Sequence, residues 1–278
     1  MFIINVLFLI LLLLLILLYY KNKTQFIYTE IFNFKEISNS YSSEIPKVII
    51  QTYFDKSKIP NKVYENIKKF APDYKHIIYD DEECILFLNK FQQKYISKEY
   101  THFNLVDKFK SFNNGAHKAD LFRYCYLYEN GGIYLDIKSI LIKPIKEIFI
   151  NNNSLYTVIA LNKNSIYQGI IAVFPKNKMI GKLINQAVCV KNILLTIDYH
   201  ILTKFFYKCI LENIQSDIKK LVPGNYLTFD GYNINLFGEE NFSKTFCNNK
   251  LDRYFLCVFI CDKDGNKIIR TRYSDFPW

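Results

Sequence analysis

The chain has 278 residues, half of them hydrophobic and 17% aromatic, which excludes a disordered protein and suits one ordinary domain with its own core. The formal charge of +10, from 36 Lys and Arg against 26 Asp and Glu, favours anionic partners, but no five basic residues run together, so nothing marks a nucleic-acid-binding tract. Seven cysteines (Cys84, Cys125, Cys189, Cys209, Cys247, Cys257 and Cys261) form no CxxC pair and no zinc-type spacing, so they read as buried thiols, with one disulfide left open for a lumenal domain.

Phe2–Leu18 is apolar except for Asn5 and is followed by Tyr19, Tyr20, Lys21 and Lys23. A run of about 20 apolar residues spans a bilayer as a helix. Tyrosines suit the interface and lysines mark the end. With no basic start and no small-residue cleavage site, residues 1–20 read as an uncleaved transmembrane anchor. The lysine flank argues for a cytosolic body by the positive-inside rule. Residues 21–44, polar and rich in Asn and Ser, read as a stem, and residues 45–278 as a single domain.

Within the domain, Lys47–Phe54 predicts a buried strand and Asn61–Phe70 an amphipathic helix stopped by Pro72. Tyr74–Asp80 predicts a second strand, and residues 81–90 a helix capped by Asp80 or Asp81. Strand and helix alternating at short spacing argue for an α/β fold with parallel strands. Ala116–Glu129 predicts a helix with two stripes, one of Leu121, Cys125 and Tyr128, the other of Asp120, Arg123, Tyr124 and Leu127. Gly131 lies where a helix cap needs a positive φ. Ile133–Lys138 predicts a strand, as does Ile170–Phe174. Helices follow over 178–191 and 199–212, then short strands and loops over 229–273.

The stretch HKADLFRYCYLYENGGIYLDIKS, His117–Ser139, carries the chemistry. Asp120 and Arg123 are one helical turn apart and can touch. Strand alternation puts Asp136 and Lys138 on one face, and a carboxyl strand end is where α/β sheets bind ligands. Two acids and two bases converging there suit a nucleotide-sugar: a carboxylate accepts from sugar hydroxyls, and cations or a divalent metal compensate the diphosphate.

At these residues the chain resembles glycosyltransferase family 32, the Och-type mannosyltransferase-like proteins, whose form runs D-x-x-R-Y to G-G-x-Y-x-D-x-D. IPKVIIQTYFDKSKIP, APDYKHIIYDDEE and QGIIAVFPKN are similar to other family segments, so the resemblance covers residues 45–177. It implies a GT-A fold, a Rossmann-like α/β/α sandwich. It also implies transfer of a hexose, with retention, from a nucleoside-diphosphate sugar to a glycan or glycoprotein acceptor. The cofactor would be Mn²⁺ or another divalent metal, and the enzyme single-pass and type II in the secretory pathway, which reverses the orientation argued from the lysines. By position, Asp136, Asp120 and Arg123 are the implied catalytic residues, with Asp136 also the metal ligand. Gln51, Thr52, Gly131, Gly132, Tyr134, Lys138 and Arg272 join Asp120 and Arg123 as candidate substrate-binding residues.

Two positions depart from the family. Its early His is Ile50, and the second Asp of its DXD motif is Lys138. The metal is then held by Asp136 with a late acid (Asp230, Glu239 or Glu240), or Lys138 supplies the charge itself, or the chain is a non-catalytic transferase-like binder. Among the histidines, His117 and His76 read as polar or packed, and His200 as a substrate candidate. Arg270, Arg272 and Trp278 form a late basic and aromatic group.

Overall fold

The computed structural model describes residues 31–34, 43–162, 164–242 and 257–271. The predicted anchor and most of the predicted stem lie outside the described residues. Among the described residues no helix is long and apolar enough to cross a membrane.

The first elements form as the periodicity dictates. Strand β1 (Val48–Thr52) has a buried centre. Helix α1 (Asn61–Phe70) buries Val63 and Ile67, four apart on one face. Strand β2 (Lys75–Tyr79) lies parallel to β1. Helix α2 (Asp81–Tyr95) opens with a capping box: Glu83 N donates to the Asp80 carboxylate, and Asp80 N donates to the Glu83 carboxylate. Helix α3 (Leu105–Ser111) precedes α4 (Gly115–Asn130), which leads into strand β3 (Gly132–Leu135). The two predicted stripes of α4 are both buried, because α4 packs among α2, α3 and a later helix as well as against the sheet.

The remaining elements are β4 (Ile140–Leu141), α5 (Ile145–Ile148), β5 (Ser154–Ile159), β6 (Ile166–Val173), α6 (Lys178–Cys189), α7 (Asn192–Ile197), α8 (Ile201–Asn213), β7 (Gly224–Leu227), β8 (Asn233–Phe242), β9 (Cys257–Cys261) and β10 (Lys267–Arg270). The sheet order is β2-β1-β3-β6-β5-β8-β9-β10-β4, with β7 also on β8. Strands β2, β1 and β3 are parallel, β6 is antiparallel to both β3 and β5, and β5 and β8 are parallel. The fold is therefore mixed α/β: the parallel expectation holds for the first three strands and ends at β6.

Alternate residues of the strands feed two cores. Ile50, Tyr134, Leu155 and Ile171 meet α2, α4, α6 and α8 on one face. Ile49, Ile133, Tyr156 and Ile170 meet Ile67 of α1 and Ile145 and Ile148 of α5 on the other. The sheet also curls. Strands β3 and β4 stand six places apart in the order, about 29 Å if flat at ~4.8 Å per strand. The link from Leu135 to Ile140 reaches only about 17 Å when fully extended.

One boundary differs from the sequence reading. Residues 31–34, assigned there to a solvated stem, pack into the domain. Phe32 is 1% exposed, its N–H donates to Asn185 Oδ1 at 2.9 Å, and Asn185 Nδ2 donates to its carbonyl at 3.2 Å. Phe32 and Phe34 sit among Phe91, Phe103, Tyr95 and Tyr128. Polar neighbours in sequence hid two rings that complete the core.

Candidate active site

Strand β3 ends at Leu135 and delivers Asp136 to the carboxyl edge of the parallel strands. The Asp136 N–H donates to Gly169 O at 2.7 Å, and Ser139 N–H donates to Asp136 O at 2.8 Å, closing a tight turn over 136–139. Gln51, fully buried at the end of β1, donates from Nε2 to the same Asp136 carbonyl at 3.2 Å. Its Oε1 lies 2.8 Å from His76 Nε2. Side chains of β1 and β2 and the backbone of β6 thus hold one turn.

The Asp136 carboxylate is held from two sides. Tyr134 OH donates to Oδ1 at 3.2 Å and Tyr167 OH to Oδ2 at 3.3 Å, while Thr52 Oγ1 lies 3.0 Å from Tyr134 OH. Burial pushes both phenols far up, and the Asp136 charge pushes the same way, so they stay protonated and donate. Gly169 is required beside them: a Cβ there would lie 2.6 Å from Asp136 Oδ2 and run into the Tyr167 ring.

Arg123 joins the two acids of the motif. Its Nη2 is 3.5 Å from Asp120 Oδ1 and 3.5 Å from Asp136 Oδ1. Nε donates to Ala119 O at 3.1 Å, Nη1 donates to Gln168 O, and the guanidinium lies 4.1 Å from the Tyr134 ring centroid. Burial opposes its charge, but Tyr134, Asp120 and Asp136 hold it above the ordinary arginine range. Asp120 lies one layer behind. With its NH₂ toward the acid, Gln168 donates to Asp120 Oδ1 at 3.0 Å and accepts from Thr203 N at 3.2 Å. Burial pushes the Asp120 carboxyl up, against the pull of Arg123 and His117.

In front of this layer is a cavity of about 280 Å³, lined among others by Thr52, Phe54, Lys118, Arg123, Asp136 and Lys138. Lys118 Nζ is bonded to Asp81, also in the wall, at 2.9 Å. Of the predicted residues, Asp136, Arg123, Tyr134, Thr52 and Lys138 meet here. Gln51 and Asp120 stand behind the wall as supports.

Gly131 and Gly132 sit at the opposite end of β3, with φ of +65° and +107°. A Cβ would lie 2.8 Å from Pro175 Cδ at Gly131 and 2.9 Å from Val48 O at Gly132. Their place is packing rather than substrate contact. Arg272 and Trp278 lie outside the described residues, and Arg270 pairs with Ile140 in β4.

Of the late acids, Asp230 is at the far end of β8, 3.5 Å from Lys178. Glu240 is exposed. Glu239 is the late acid that feels Asp136: it accepts from Leu161 N at 3.0 Å, and burial, with a contribution from Asp136, raises its carboxyl. His200 Nε2 lies 3.1 Å from Asn162 Nδ2 at the surface, and His117 Nε2 lies 3.2 Å from Tyr199 O.

The residues present do not fit a divalent cation. Among the described residues no three of His, Cys, Asp and Glu gather as ligands. Both oxygens of Asp136 are engaged by Tyr134, Arg123 and Tyr167. The second DXD carboxylate is a lysine in the same wall, which repels a cation and offers no oxygen.

Sequence reasoning missed Tyr167, Gly169, Phe54, Asp81 and Lys118. Tyr167 and Gly169 flank Gln168, the first residue of the QGIIAVFPKN segment. The predicted strand began at Ile170, whereas β6 begins at Ile166. Phe54, 61% exposed on the cavity rim, was read only as the last residue of the first predicted strand.

Residues 57–155 match the family described as a glycosyltransferase sugar-binding region containing a DXD motif. The chain is 31% identical over 111 residues to inositol phosphoceramide mannosyltransferase 3 of Schizosaccharomyces pombe, covering 39% of this chain and 28% of that protein. It is 30% identical over 122 residues to initiation-specific alpha-1,6-mannosyltransferase of Candida albicans, covering 41% and 29%. It is 27% identical over 208 residues to an uncharacterized glycosyltransferase of Acanthamoeba polyphaga mimivirus, covering 71% and 76%. The match thus spans less than a third of the length of either fungal relative.

Proposed function

We propose that this chain is a member of glycosyltransferase family 32 and transfers a hexose from a nucleoside-diphosphate sugar to a hydroxyl of a glycan or glycoprotein acceptor, on a fold of the GT-A kind. The fungal relatives are named as mannosyltransferases, and mannose is the first sugar to try. The observation that carries the reading is the Asp136 carboxylate, fixed by two phenols and Arg123 and facing a cavity of about 280 Å³ with Lys138 in its wall.

In this reading Asp136 accepts from hydroxyls of the donor, ribose or sugar, and fixes its register. Arg123 sets the Asp136 carboxylate, Asp120 and Gln168 set Arg123, and the exposed Phe54 ring covers the rim. Fixed charges aimed at the departing diphosphate supply most of the rate. Retention of configuration and a membrane-anchored, type II placement in the secretory pathway complete the proposal.

Asp136→Ala tests it: turnover of nucleoside-diphosphate hexoses falls by about a thousandfold or more, the scale of losing one preorganised transition-state contact or greater, while the circular dichroism and melting of the folded protein persist. Undiminished turnover in that variant sinks the assignment. The Asp-to-Lys change at position 138 favours a second reading, a binder without turnover. Release of free hexose from the donor without acceptor excludes it.

A further inference from the structure

We propose that Lys138 takes the place of the divalent cation, so that this chain binds and activates its donor's diphosphate without metal; the inference rests on the transferase reading above. Among the described residues the cavity wall carries three cations, Lys118, Arg123 and Lys138, against two carboxylates, Asp81 and Asp136. With an aspartate at 138 the same wall would be net negative, a site that must recruit a cation before it admits an anion. Lysine for aspartate raises the local charge by two units, the charge a divalent ion would have brought, and the wall becomes net positive.

Arg123 is engaged by Asp120, Asp136 and two backbone carbonyls, and Lys118 by Asp81. Lys138 is held in place by its neighbours in the turn. Asp136 is pinned through Gly169 and Ser139. Ile137 is buried with Ile59, Val63 and Ile78, and Ile140 is in β4 beside Arg270. A compact ammonium presented by a rigid turn serves as a point charge for phosphate oxygens.

In the reaction the bond between the anomeric carbon and the β-phosphate oxygen breaks, and its electron pair stays on that oxygen. A hydroxyl oxygen of the acceptor bonds to the anomeric carbon, and the hydroxyl proton passes to the released diphosphate. Lys138 stabilises the charge that develops on the diphosphate, and no oxidant, reductant or metal enters the balance.

The test is calorimetric titration of the full chain with GDP and with UDP after dialysis against EDTA, then with excess Mn²⁺. The wild type binds one of the two nucleotides in EDTA, and Mn²⁺ changes that affinity by less than about threefold. Lys138→Met binds at least about tenfold more weakly, equivalent to 1.4 kcal/mol, and Mn²⁺ does not restore it. Lys138→Arg retains metal-free binding, and Lys138→Asp binds only with Mn²⁺. The proposal is overturned if wild-type binding requires Mn²⁺, or if Lys138→Met binds in EDTA as the wild type does. A wild type that binds neither nucleotide in either buffer overturns the transferase reading itself, which separates the two failures.

Discussion

Replacing Arg123 by Met preserves most of the side-chain length and removes the charge that joins the two acids. Arg123 is 3% exposed and Asp120 is 6% exposed, so the change strands a buried carboxylate whose remaining polar contact is the Gln168 amide. The Gln168 carbonyl also loses its guanidinium donor. Removing one partner of a buried pair costs about 3–5 kcal/mol. At about 2–4 °C per kcal/mol for a domain of this size, the melting temperature falls by about 6–20 °C. The assay is a thermal melt with urea titration of wild type, Arg123→Met, Asp120→Asn and the double variant. If the cost is the stranded charge, adding Asp120→Asn to Arg123→Met restores a large part of it, because neutral Asn keeps a hydrogen bond to Gln168 without a buried charge. A coupling of about 0.5–3 kcal/mol between the two positions is the expected size. Neither Arg123 variant recovers turnover, since Asp136 has lost its neighbour. An Arg123→Met protein that melts within about 1 °C of wild type, or a double variant no more stable than the single, refutes the reasoning.

Other expectations follow from the same geometry. Gly169→Ala forces the Asp136 carboxylate and Tyr167 apart; turnover drops at least about tenfold, a 1.4 kcal/mol rise in barrier, while the melting temperature moves little. Gly131→Ala, at φ +65° against two prolines, destabilises by more than about 1 kcal/mol in urea yet leaves kcat of the folded fraction unchanged, because it lies at the far end of β3. Phe32→Ala opens a hole in the aromatic core and costs about 3–5 kcal/mol, read by urea unfolding. For pH, burial raises the Asp120 carboxyl in the folded state. Its contribution to stability is therefore full below about pH 3.9, the unfolded value, and lost as pH rises through the folded one. Wild type gains on Asp120→Asn as pH is lowered from 7 toward 4, measured by paired melts across that range.

What was legible in sequence is local. The capping box at Asp80 and Glu83, the Val63 and Ile67 face, and the Asp120–Arg123 turn are all encoded within a few residues, and each formed. The meeting of Arg123 with Asp136 was also legible, because a glycine pair sends β3 back beside α4. The strand was expected to run to Lys138 and stops at Leu135. Asp136, Ile137 and Lys138 therefore form a turn, and the alternation argued for them does not apply, although Asp136 and Lys138 do reach one cavity. The partners of that turn were not legible. Tyr167 and Gly169 reach Asp136 through antiparallel pairing with β6, and register across more than 30 residues leaves no short-range pattern. Phe32 reaches Asn185 across 153 positions, beyond any periodicity. The charged wall at Lys118 and Asp81 depends likewise on how α2 and α4 pack.

The pairing of β4 with β10, Leu141 beside Ile269 and Ile140 beside Arg270, has a consequence for biogenesis. A ribosome that has just released Lys138 has yet to make the strand that secures the segment after it. At about 5–20 residues per second, the nascent chain spends roughly 6–26 s with that edge unpaired. Such non-local closure also slows folding, because a long loop must be ordered before its contacts are gained. The sheet thus closes late, and an unpaired β4 is the place where a chaperone would have most to protect.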